Sequence, residues 1–100
     1  MINHVVLFKL KAFDTFQEKQ LALDQFKAKL MALKNHIPEL KYIEVGKHYT
    51  VDSPSFDLCL ISHFETLADL EAYKIHPEHV KVTDFVKQIA VDRAAVDYEF

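Results

Sequence analysis

An α+β fold ordered β-α-β-β-α-β, with a four-stranded antiparallel sheet and helices on one face, is predicted by three observations. Four stretches rich in β-branched and aromatic residues, INHVVLFKLK, LKYIEVGKHYT, FDLCLISHF and VDRAAVDYEF, read as strands. Two longer stretches with apolar residues at helical spacing separate the first strand from the second and the third from the fourth. The 100 residues, half of them apolar, suit one domain spanning residues 1–100. This is the split βαβ, ferredoxin-like pattern.

Each element has a local reason. Asp14 or Thr15 caps a first helix that runs to about Asn35. Its inward stripe is Phe16, Leu23, Phe26, Leu30 and Leu33, at steps of seven, three, four and three. Pro38 stops it, because proline has no N–H and disfavours helix in the residue before it. Gly46, the single glycine, marks a bulge or a close backbone approach in the second strand. VDSPS is turn chemistry. Thr66, with Asp69 three residues on, caps ETLADLEAYKI as a helix. Pro77 ends that helix or opens a new one at its first turn. EHVKVTDFVKQI continues helically with Val80, Phe85 and Ile89 inward.

Alternation along the strands adds a prediction about assembly. In the first strand Ile2, His4, Val6, Phe8 and Leu10 point one way, and Val5 and Leu7 the other. In the third, Phe56, Leu58, Leu60 and Phe64 share a face, opposite Cys59 and Ile61. A sheet with helices on one side should be polar on its open side, yet both faces carry apolar side chains. A second copy of the chain is expected to cover the open face, giving a homodimer whose sheets stack or close into a barrel.

Composition removes other classes. A formal net charge of −3 argues against a nucleic-acid surface, which needs a basic stripe. Lys9, Lys11, Lys27, Lys29 and Lys34 lie among acidic residues and read as solvated faces. No apolar run approaches a membrane span, and MINHVVLFKLK lacks the form of a leader peptide. The single Cys59 sits in an apolar run and reads as a reduced packing residue, which suits the cytoplasm.

The chemistry-bearing residues concentrate in LEAYKIHPEHVKV. Tyr73 and His76 lie three apart near a helix end and share a face, and His79 comes just after Pro77. A neutral imidazole beside a tyrosine hydroxyl in a partly apolar pocket is what proton abstraction from a carbon acid or phenol requires. The competing reading is structural: His76 caps the broken helix, and Glu78 pairs with a surface lysine. His4, mid-strand beneath the helices, reads as a core histidine or as a group that orients a ligand. The metal signal, resting on His76 and His79 with Glu78, is weak, because no clear third ligand joins the histidine pair and proline disturbs the spacing. Ser62 and His63 are strand neighbours facing opposite ways, so they form no dyad.

MINHVVLFKLK, IPEL…VGK, SFDLCLISHFETLADLEAYKIHPEHVKV and DRAAVDYEF together resemble the stress-responsive A/B barrel (Dabb) family over essentially the whole chain. The resemblance implies a dimeric α+β barrel of ferredoxin-like subunits. A plant member cyclises a polyketide by aldol condensation without a cofactor, and its histidine base, partner tyrosine and strand histidine match His79, Tyr73 and His4. Two polar pocket positions of that cyclase fall at Leu30 and Leu58. The resemblance thus implies a small apolar, aromatic or polyketide-like ligand bound between sheet and helices, contacting Val6, Phe8, Leu30, Leu58 and His76. No cofactor is implied. Two other readings stand beside it: a non-catalytic stress-associated dimer with a buried His4–Tyr73–His79 hydrogen-bond network, and a monooxygenase-type barrel. The chain has no Trp and no evident haem-ligating context for the latter.

Overall fold

The computed structural model describes residues 1–50 and 54–100, so part of the predicted turn VDSPS lies outside the described residues. The elements are β1 (Ile2–Leu10), α1 (Phe16–Ala32), β2 (Tyr42–Lys47), β3 (Leu58–Phe64), α2 (Leu67–Ile75), α3 (Pro77–Ile89) and β4 (Ala90–Glu99). The sheet order is β2-β3-β1-β4 with every neighbouring pair antiparallel. This is the ferredoxin-like fold.

The termini of the helices are set by side chains. Thr15 Oγ1 accepts from the Glu18 N–H and starts α1, and Thr66 Oγ1 accepts from the Asp69 N–H and starts α2. Leu33–Asn35 tightens into a 3₁₀ turn ahead of Pro38. α1 buries Ala22, Leu23, Phe26 and Leu30 against the sheet, each large side chain contributing roughly 1.5–3 kcal/mol. Phe16, expected inward, is 56% exposed: it is the first residue of α1. Val80 is likewise 44% exposed. α3 starts afresh at Pro77, and Val82, Phe85, Val86 and Ile89 (spacing i, i+3, i+4, i+7) take the inward phase instead.

Gly46 is neither a bulge nor a close approach, since its pairing register is continuous and nothing lies within 4 Å of an added Cβ. The irregularity falls in β1, between Lys9 and Leu10 where it meets β4. There the Leu10 N–H donates to Asp57 Oδ2 at 2.8 Å. Asp57 is buried, and its other oxygen lies 2.9 Å from Lys19 Nζ of α1. One carboxylate thus ties the end of β1, the approach to β3 and the first turns of α1.

β1 is central, and Ile2, His4, Val6, Phe8 and Leu10 alternate into the core as expected. On the other face Val5 pairs with Ile61 and Val96, and Leu7 with Cys59 and Ala94, with no helix of the described residues above them. No residue of β4 after Ala90 is buried, so its helix-side face, bearing Arg93, Ala95 and Asp97 opposite Phe8, Val6 and His4, is also open. That gap positions the site.

Candidate functional site

The site begins at the helix break. His76 is extended (ψ 136°) and closes α2, while its Nδ1 accepts from the Glu78 N–H at 3.1 Å to open α3, with Pro77 at the first turn. A helix that stops leaves its last carbonyls without partners. The Lys74 carbonyl is one of these, and His79 Nδ1 lies 3.0 Å from it. A carbonyl only accepts, so the proton is on Nδ1 and Nε2 keeps its lone pair. Burial lowers the His79 pKa, and the nearby charges of His4, Arg93 and Lys74 lower it further against the Lys74 hydrogen bond. His79 is therefore a neutral base with a fixed tautomer.

His4 is held by Asp97, across the ladder on β4, whose carboxylate meets His4 Nδ1. Its Nε2 is likewise the uncommitted nitrogen. Tyr73 packs between these imidazoles: its ring centroid is 4.4 Å from that of His79 and 6.3 Å from that of His4. Phe64 closes the aromatic cluster at 4.9 Å. No hydrogen bond joins His4, Tyr73 and His79, and the buried Tyr73 hydroxyl has no partner among the described residues. Burial raises its pKa far above the phenol range, with Arg93 offsetting part of the rise, so it remains a proton donor.

Between sheet and helices lies a cavity of about 520 Å³, within the range of small-molecule sites. β1 supplies His4, Val6 and Phe8 to its wall, and α1 supplies Phe26 and Leu30. Leu60 of β3 and Val82 and Val86 of α3 complete an apolar interior, with His79 on the wall beside them. Of the residues anticipated from the sequence, His4, Val6, Phe8, Leu30 and His79 come together on this cavity. Tyr73 stands behind His79 off the wall, Leu58 lies in the core, and His76 caps α3. Among the described residues no cluster of His, Cys, Asp or Glu could hold a metal ion.

Three participants were not singled out in the sequence. Asp97 and Arg93 sit on β4, and strand alternation puts both on the face of His4 once the register is known. Thr83 also lines the cavity, its hydroxyl donating to the His79 carbonyl at 3.1 Å.

The family model for the stress responsive A/B barrel domain (Dabb) matches residues 2–100. The chain belongs to the Dabb family. A Dabb relative from Arabidopsis thaliana, the stress-response A/B barrel domain-containing protein DABB1, is 32% identical over 98% of the chain. The chain spans 46% of that relative, less than half its length. Among solved structures, a dimeric protein of unknown function with a ferredoxin-like fold from Bacteroides fragilis is 35% identical. It superposes with a TM-score of 0.89 over 99% of this chain and 95% of its own. A hydroxynitrile lyase from Passiflora edulis shares the fold at a TM-score of 0.79 and 19% identity, covering 97% of this chain and 90% of the lyase.

Proposed function

We propose that this Dabb chain forms a homodimer through the open face of its sheet and binds a small apolar or aromatic molecule in the cavity between sheet and helices. His79 is its base. The observation that carries the reading is a neutral imidazole of fixed tautomer on the wall of a largely apolar cavity of about 520 Å³. In this reading Nε2 of His79 takes a proton from carbon, leaving an enolate and an imidazolium. His4, fixed by Asp97, orients the ligand oxygen, and Tyr73, packed behind His79, supports the His79 ring.

The assembly rests on the uncovered Val5, Leu7, Ile61 and Val96, and on the dimeric Bacteroides fragilis neighbour. The lyase neighbour, at 19% identity, supports the fold alone. The cytoplasmic placement we favour rests on Cys59, a half-buried free thiol whose pKa burial raises, Glu44 adding to it.

Benzoylacetone, an aromatic carbon acid, tests the chemistry. Exchange of its C2 proton into deuterium oxide, monitored by NMR, should run faster with the protein than with buffer alone. His79→Gln should return it to the buffer rate. Equal rates for protein and buffer would remove the acid–base part of the reading.

A further inference from the structure

The mouth of the cavity is charged, and with one sign. Lys74 of α2, Lys87 of α3 and Arg93 of β4 all contribute to its lining, and among the described residues no carboxylate does. These three cations come from three different elements, α2, α3 and β4, so the surface pattern of a single helix does not account for their convergence. Two have local acids: Lys74 lies 3.3 Å from Glu71, and Lys87 lies 4.0 Å from Asp84, both exposed i,i+3 pairs on their own helices. Arg93 has none within ion-pair distance among the described residues. The nearest candidates on its strand are otherwise engaged: Asp97 holds His4, and Asp92 accepts from the Arg93 backbone N–H at 2.8 Å. Strand pairing sets Arg93 directly across from Phe8, on the helix side and beside the apolar wall.

An apolar interior rimmed by an uncommitted guanidinium is complementary to an amphiphilic anion. We propose that the ligand is an amphiphilic monoanion, an aryl or alkyl carboxylate, whose carboxylate is held by Arg93 at the mouth while its hydrocarbon part enters the cavity. The inference rests on the ligand-binding reading above and sharpens it. A guanidinium offers two parallel N–H donors to a carboxylate, which a lysine does not, so Arg93 is the specifying residue. Lys87 and Lys74 add field at the mouth. The carboxylate ends up in the mouth with its chain toward His79 and His4, so the group next to the carboxylate end is the part those imidazoles reach.

Competition against a neutral fluorescent reporter, N-phenyl-1-naphthylamine, separates this inference from the reading beneath it. The competitors are 6-phenylhexanoate and 6-phenylhexan-1-ol, which share a skeleton and differ in charge. The carboxylate should displace the reporter at about tenfold lower concentration than the alcohol, the scale of one charge-assisted bidentate pair. Arg93→Met should abolish that advantage while still binding the reporter saturably, which also shows that the variant is folded. Arg93→Lys should restore only part of it, and raising the ionic strength should shrink it in the wild type. Reporter binding with equal competition by acid and alcohol overturns the anion inference and leaves the cavity reading standing. No reporter binding at all overturns both.

Discussion

The Nδ1 atom of His79 lies 3.0 Å from the carbonyl oxygen of Lys74, the carbonyl that the break at Pro77 leaves without a helical partner. A feature that first looks like a packing accident, proline between two histidines, thus fixes the tautomer of one histidine and makes a cap of the other. Protonating His79 on Nε2 would add a charge to a half-buried ring facing Arg93 and Lys74, which is why its pKa falls from 6.5.

That shift has a sign that stability measurements can read. The folded protein holds His79 neutral over a range in which the unfolded chain, with a pKa near 6.5, binds a proton. Stability is therefore full above pH 6.5 and is lost as pH falls from 6.5 through the lowered folded value. Denaturant unfolding of wild type and His79→Gln across this window should show a shallower pH slope in the variant. Parallel slopes would mean that His79 does not titrate as described.

Tyr73 carries a buried hydroxyl with no partner among the described residues, and such a group costs about 1–3 kcal/mol. Tyr73→Phe should then leave the fold intact and raise stability by about 1 kcal/mol, or roughly 4–8 °C in Tm. A hydrogen-bond network through Tyr73 would give a loss instead. Thermal unfolding at neutral pH distinguishes the two, and benzoylacetone exchange in the same variant reports what the hydroxyl does for chemistry.

Asp57 is a buried carboxylate whose two oxygens are both engaged. Asp57→Ala strands the Leu10 N–H and removes one partner of Lys19, at an expected cost of about 3 kcal/mol. Urea unfolding should show the midpoint falling with the slope unchanged.

Val96 lies on the uncovered face opposite Val5 and is 57% exposed. Val96→Asp places a charge where a second copy would pack, so sedimentation should report a monomer of 11.6 kDa in place of a dimer. A wild type that sediments as a monomer contradicts the proposed assembly.

The strands and helices were legible because their periodicities are strong. Ile2 to Leu10 alternates without a break, and Leu23, Phe26 and Leu30 keep one helical phase. Thr15 and Thr66 were legible as caps for the same local reason. Phe16 and Val80 went astray because phase alone does not say where a helix begins, or that Pro77 resets it. The cavity residues of β1 and α1 could be read from the chain, together with His79. Arg93 and Asp97 could not, since their place beside Phe8 and His4 depends on the antiparallel register of two strands at opposite ends of the sequence. Asp57 was hidden for a related reason: its partners Leu10 and Lys19 are distant in sequence, and its pattern position is that of an ordinary strand residue.

The central claim is that the cavity beneath the helices, and not the open face of the sheet, takes an apolar ligand. Methyl-resolved NMR during titration with N-phenyl-1-naphthylamine tests it most directly. Saturable shifts are expected at Val6, Leu30, Val82 and Val86, with His79 ring resonances moving alongside. Shifts confined to Val5, Ile61 and Val96, or none at saturation of the reporter, would contradict it.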